Sequence, residues 1–359
     1  MNHTRPGITS DVRAAFDSCL ARADEEGAVA LTGRLLEDGV RAEDILLGLV
    51  TPAQREVGAR WASGEWTVAQ EHAATHVSER SVAAAATPDA GSAGSAGDVL
   101  VTCSDGEWHT LPARILAEVL RLRGFHVRFL GGHVPAAHLA SDLHQNGPDV
   151  VALSCTLPMR LPLAHRLVQV CRPAEVPVIA GGSGFGPDGT WAYTLGADLY
   201  APDAPSADTL LRRRWPPPLS GASSIDAGST EAYAHLARHR AVLLRHLVRG
   251  LHDRFPDMRD PALHQYEATA ETLGQLLDSL AAGVFVDDPR VFIDYLSFAV
   301  AFLAARSTDP ARLPAALEIL AAPLSDLPSV ARHLAAGHTW LEAHPAGPSA
   351  EHQPPNGRP

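Results

Sequence analysis

Residues 98–112 read DVLVTCSDGEWHTLP, and the change of rhythm at Asp98 decides the fold. Thr87–Gly97 (TPDAGSAGSAG) is a flexible Gly/Ser/Ala linker with no hydrophobic period. Beyond it come short apolar runs at Val99–Thr102, Val127–Leu130, Val150–Leu153, Val176–Ala180 and Leu199–Ala201, with helical stretches such as Ala113–Leu122 and Leu161–Cys171 between them. Apolar strands alternating with helices predict a parallel sheet covered on both faces, a doubly wound, Rossmann-like α/β domain over 98–215. Ligands of such domains sit at the carboxyl ends of the strands.

On either side the period is helical. Over 11–86, Phe16, Leu20, Leu31, Leu35, Ile45, Leu46, Leu49 and Val50 recur near helical spacing, and Thr67 with Gln70 three residues on fits a capping box. Four short helices, a bundle, are expected there. A second linker follows Pro216–Pro218. Residues 230–342 read as an all-α domain with helices near 231–255, 263–282, 289–306, 311–321 and 326–342, and 343–359 as a disordered tail.

The 359 residues carry a net charge of −12, and all 29 basic residues are arginine. With no lysine, phosphate-loop chemistry and Schiff-base or pyridoxal catalysis are excluded. The same absence is also what a GC-rich coding sequence produces. The negative charge argues against non-specific nucleic-acid binding, which needs basic surface to displace counterions. Cys19, Cys103, Cys155 and Cys171 lack metal-ligand spacing and read as buried reduced thiols. With no apolar signal region and no bilayer-length apolar run, the expected location is the cytoplasm, with no membrane partner.

Three small clusters close the strands. The first loop holds Glu107, Trp108 and His109, and a histidine two residues after a carboxylate can ligate a metal while its second ring N–H is held. Ser154-Cys155-Thr156 closes the third strand and Gly181-Gly182 the fourth. Small residues at neighbouring strand ends leave a slot wide enough for a flat heterocycle. Gly184–Gly189 (GFGPDG) matches a dinucleotide fingerprint, but it follows the fourth strand and places a proline where a helix should open, so it reads as a tight supporting loop.

This set resembles the cobalamin-binding signature of the base-off, histidine-on type, D-x-H-x-x-G, S-x-L and G-G. The resemblance implies His109 as lower cobalt ligand, Glu107 as its partner with Trp108 beside it, Ser154 and Thr156 lining the slot for the nucleotide tail, and Gly181 and Gly182 bordering it. Glu107, Pro112 and Thr156 depart from the pattern, and Pro112 is the departure that bears on loop geometry. Upstream, Trp61, nine residues, then Glu71-His72 form W-x9-E-H. Alone these are a bundle tryptophan and a helix surface. Ahead of a cobalamin domain the motif resembles the CarH-type cobalamin photoreceptors and implies adenosylcobalamin, with Trp61, Glu71 and His72 around its upper face. In that family a histidine follows the tryptophan and takes the cobalt after photolysis, whereas Ala62 stands here. The family also begins with a DNA-binding domain, and with about ten residues ahead of the first helix, direct operator binding is not expected.

The 231–255 helix is studded with His235, His239, Arg245 and other basic residues: a solvated face, a seat for anionic propionates, or a metal site through the His235/His239 pair. Tyr266, Phe285, Phe292, Tyr295, Phe298 and Phe302 form an aromatic set, either core or the wall of a pigment site. The whole layout resembles the photocobilins, which implies a globin-like C-terminal domain that binds biliverdin, here without a thioether link because no cysteine follows Cys171. The implied function is a non-catalytic light sensor whose homo-oligomeric contacts change on illumination and which signals to an unknown output partner. The alternative is a corrinoid methyl carrier of a methyltransferase system.

Overall fold

The computed structural model of the chain describes residues 7–86, 96–259, 263–306, 308–309 and 311–344. Most of the expected 87–97 linker, and all but 343–344 of the expected tail, lie outside these residues.

The N-terminal bundle starts with α1 (Ser10–Ala21), capped by the Thr9 hydroxyl on the Val12 N–H, and α2 (Glu25–Glu37), capped by Asp24 on Gly27. Its third helix runs from α3 (Ala42–Ile45) through one π-helical turn (Leu46–Val50) into α4 (Thr51–Ala62). The Thr51 hydroxyl donates to the Leu46 carbonyl at 2.8 Å across that turn. After the Gly64 reversal (φ +75°) comes α5 (Val68–Ala85), opened by the Thr67/Gln70 capping box. Phe16, Leu20, Ile45, Leu46, Val57, Val77 and Val82 form the bundle core, which continues into Leu111, Ile115 and Val119 of the next domain. The expected four-helix bundle is present and rests on that domain.

The sheet comprises β1 (Asp98–Cys103), β2 (His126–Gly131), β3 (Val150–Ser154), β4 (Val178–Gly181) and β5 (Leu199–Ala201), all parallel in the order β2-β1-β3-β4-β5. Helices α6 (Leu111–Leu122) and α10 (Ala204–Arg213) pack on one face through Ala113, Leu120 and Leu211. On the other face lie α7 (Ala136–Asn146), α8 (Leu161–Cys171) and α9 (Thr190–Leu195), through Leu139, Leu167 and Trp191. From β1 the chain winds outward to β2, then crosses back to β3. The ends of β1 and β3 therefore flank the switch point, where doubly wound sheets place ligands.

The C-terminal domain is all-α: α11 (Ala227–Arg254), α12 (Leu263–Val286), α13 (Arg290–Ala305), α14 (Arg312–Ala321) and α15 (Pro328–Ala343). These bounds differ from the periodicity by a few residues at most. Ala282, Phe285, Val286 and Val291 share a core with Leu161, Leu167 and Trp191, and the Trp191 indole N–H donates to Asp288 at 2.9 Å. This domain is therefore docked on the sheet. All four cysteines are buried and outside any disulfide. Among the described residues, no helix is long and apolar enough to cross a membrane.

Candidate functional site

Everything at the switch point turns on one buried carboxylate. Glu107 follows Gly106, whose φ of +71° lets the loop after β1 reverse, and its side chain is fully enclosed. Its Oε1 accepts the His109 backbone N–H at 3.0 Å and sits 2.6 Å from His109 Nδ1. Its Oε2 accepts the Thr156 N–H at 2.9 Å and, more weakly, that of Leu157 at 3.4 Å. One side chain thus fastens the β1 loop to the β3 loop. Burial opposes its charge, but the His109 ring and the His109 and Thr156 amides outweigh that, holding it below the usual carboxylate range. Since an ionised carboxylate only accepts, Nδ1 carries the proton and Nε2 keeps the lone pair, a tautomer assigned from this contact.

Pro112 leaves this loop undisturbed because it occupies the first turn of α6, where a backbone N–H has no helical partner anyway. The close approach that needs a glycine occurs instead at Gly132, where a Cβ would stand 2.7 Å from the Glu107 carbonyl oxygen and 2.6 Å from Thr110. Trp108 is 76% exposed and stacks on His133 (5.1 Å, 25°), whose Nδ1 accepts the Gly106 N–H.

His109 stands at the mouth of a cavity of about 930 Å³ between the bundle and the strand ends. The cavity runs past Thr156 and Ser154, down Ala152, Ile179 and Ala180, and is bordered by Gly181 and Gly182. A Cβ on Gly181 would lie 2.8 Å from the Ala201 carbonyl oxygen, and one on Gly182 (φ +104°) only 2.3 Å from that of Cys155. The glycine pair is thus dictated by backbone packing around the slot as much as by the width of the slot.

Above it, Glu71 and His72 line both this cavity and an adjoining one of about 450 Å³. Glu71 is held in a chain: its Oε2 meets His72 Nδ1 at 2.6 Å, its Oε1 accepts the Thr75 hydroxyl at 2.9 Å, and Gln54 on α4 donates to that hydroxyl at 2.6 Å. Trp61 lines only the smaller cavity. Its ring packs on Phe298 (6.1 Å, 22°) and Phe302 (5.3 Å), and Arg306 donates to the Trp61 and Ala62 carbonyls at 2.7 and 3.1 Å. The family resemblance implied Trp61 at the upper face of the ligand; that the C-terminal domain grips it was not legible.

His235, His239 and Arg245 line neither cavity, a departure from the pigment seat considered for them. Leu236, Leu243, Leu247 and Leu251 form the buried stripe of α11, so the basic residues face elsewhere. The two histidine rings lie 4.2 Å apart and Arg245 is exposed. Tyr266 lies outside the residues whose side chains are described. The C-terminal wall of the smaller cavity instead comes from Glu271, Gln275 and Ser279 on α12 and from Val291, Asp294, Tyr295 and Phe298 on α13. Two signals for it existed: polar residues at positions 271, 275 and 279, one helical face, and a lone acid within the apolar run 291–300.

An imidazole whose Nδ1 is held by a carboxylate and whose Nε2 has no hydrogen-bond partner among the described residues could ligate a transition metal, and a lone ligand suits a metal that brings a macrocycle of its own. Comparison with known proteins agrees. Two B12 binding domain families match, one over residues 12–85 and one over 97–208. The trimethylamine corrinoid protein of Methanosarcina barkeri is 26% identical over 55% of this chain and 93% of its own length. The HTH-type transcriptional repressor CarA of Myxococcus xanthus is 31% identical over 46% of this chain and 57% of its own. The solved monomethylamine corrinoid protein of Methanosarcina barkeri, 18% identical, superposes with a TM-score of 0.50 over 57% of this chain and 99% of that one, which places the fold. The bundle and the parallel-sheet domain of this chain together form a cobalamin-binding module.

Proposed function

We propose that this protein is a light sensor that carries adenosylcobalamin in the base-off, histidine-on form, with biliverdin as a second, non-covalent chromophore. The observation that carries the reading is the covered upper face. Trp61, Glu71 and His72 close the bundle side of the site, and Trp61 is clamped from behind by α13. Adenosylcobalamin supplies a cobalt–carbon bond that visible light cleaves.

The residues present fit that group. His109 Nε2 would hold the cobalt, with Glu107 fixing its tautomer; the Ser154–Gly182 slot would receive the nucleotide tail, and Trp61 with Glu71 would cover the cofactor from the bundle side. The smaller cavity, about 450 Å³, falls in the range of small-molecule sites and adjoins the larger one, and Trp61, Tyr295 and Phe298 give it aromatic walls. Trp61 borders this space and packs against Phe298, which also lines it, and against Phe302 and Arg306. A change in what fills the site is therefore felt at α13, and the docked C-terminal domain is the part that shifts. The expected outcome is a change of homo-oligomeric contacts passed to an output partner.

A methyl carrier has to present its upper face to partner enzymes. The trimethylamine corrinoid protein likeness is common to both readings, and the Trp61 clamp favours the sensor. The test is to load the chain in the dark with adenosylcobalamin and, separately, with methylcobalamin, then illuminate with green light. A lasting spectral change in the adenosyl form is expected. Tighter binding of methylcobalamin with no lasting photoconversion of either form contradicts the proposal.

A further inference from the structure

The smaller cavity is bordered by two charged side chains that the protein leaves unanswered. Arg160, in the turn between β3 and α8, packs its guanidinium on Gly106, and its Nε is enclosed without a hydrogen-bond acceptor. Asp294, on α13, has no hydrogen-bond or ion-pair partner among the described residues. Burial, reinforced by Asp288 and opposed by Arg290, raises its carboxyl to about 6. One group comes from the sheet domain and the other from the C-terminal domain, and they make no ion pair with each other.

A half-buried charge without a hydrogen-bond partner still bears a desolvation cost, and two of opposite sign bordering one cavity point to a complementary ligand. The complement has a carboxylate for the guanidinium, N–H donors for the carboxyl, and an apolar body between them. That body would meet Trp61, Met159, Val291 and Phe298. Tyr295 cannot supply a donor, because its hydroxyl is already given to the Thr272 carbonyl at 2.6 Å. A linear tetrapyrrole has all three parts: propionates, pyrrole N–H groups and a long conjugated body.

We propose that Arg160 and Asp294 are the two polar anchors of the second chromophore, Arg160 for a propionate and Asp294 for the pyrrole N–H groups. The assignment rests on the bilin reading above and deepens it. It moves the anchors from the basic face of α11 to the boundary between the sheet domain and α13. An ionised Asp294 against the inner nitrogens favours their protonated form. The other titratable groups bordering the cavity, Glu71 and His72 on α5, His109 in the loop after β1 and Glu271 on α12, lie on different elements and leave Asp294 as the only acid contributed by α13.

The test titrates the full chain, loaded with adenosylcobalamin and kept dark, with biliverdin and with biliverdin dimethyl ester. The wild type is expected to prefer the free acid by about tenfold, the scale of one charge-assisted hydrogen bond. Arg160→Gln should abolish that preference. Asp294→Asn should keep the preference but move and weaken the long-wavelength band of the bound pigment. An unchanged cobalamin spectrum in both variants shows that the module is still folded. Preference retained by Arg160→Gln, or an unchanged band in Asp294→Asn, overturns the assignment and leaves the bilin reading standing. A wild type that binds neither pigment overturns both.

Discussion

At the scale of the residue, Glu107 and Asp294 are acids of opposite tendency, the first buried and the second half-buried. Glu107 is held below the usual carboxylate range, so its contribution to stability is present above that range and is lost as pH falls through its lowered value. Glu107→Gln should flatten the acid limb of the stability profile and weaken cobalamin binding by about 10–100-fold, the usual cost of losing the group that orients a ligating histidine. A titration followed by the cobalamin spectrum measures the second effect; unchanged affinity counts against a role for Glu107 in orienting His109. Asp294 is raised, so its penalty is absent below the ordinary aspartate range, grows as pH rises toward about 6, and is complete above it. Asp294→Asn should therefore stabilise the pigment-free chain at neutral pH, by up to about 3 kcal/mol, with the gain vanishing below about pH 4. Paired thermal melts across pH check the sign. The Glu107–His109 pairing was legible because the two residues are two apart in one loop. The Thr156 amide that completes it was not, because it arrives from another strand.

At the scale of the element, the informative contact joins the end of α4 to the end of α13. Arg306 has no carboxylate within ion-pair distance among the described residues, and burial lowers its pKa. Its guanidinium serves the last carbonyls of α4 and lies 3.6 Å from the centre of the Phe302 ring. Arg306→Ala should cost about 1.5–3 kcal/mol, the range for hydrogen bonds from a charged donor, and should speed amide exchange in the last turn of α4 and in 290–305 together. Faster exchange in only one of the two helices would show that Arg306 does not couple them. Local sequence rules read the helices themselves well: the Thr67/Gln70 box opens α5, and the leucine stripe of α11 sets its buried face. They could not give the π turn at Leu46–Val50, because a lone Gly48 inside a helical period does not by itself mark an inserted residue. Nor could they tell which helices wall the smaller cavity, because a helical period gives a face without naming the neighbour it meets.

At the scale of the molecule, the bundle, the sheet domain and the C-terminal helices meet around two adjoining cavities that share Gly58, Glu71, His72, Trp108, His109, Thr156 and Ser183. The division into three parts was plain from the shift between helical and strand periods. How they dock was carried by long-range pairs such as Trp191 with Asp288 and Arg123 with Glu43 and Asp208, which no local pattern records. In this arrangement the smaller cavity, which His109, Glu71 and Trp61 also line, is walled by α12 and α13 of the C-terminal domain, and this is why the sensor reading predicts a change in the whole particle. The direct measurement is light scattering coupled to size-exclusion chromatography on the adenosylcobalamin-loaded chain, run in the dark and again after green light. The account predicts a different mass or hydrodynamic radius after illumination, and a smaller or absent difference in Trp61→Ala. Identical profiles in dark and light, with the cobalamin spectrum showing that photolysis has occurred, would contradict it.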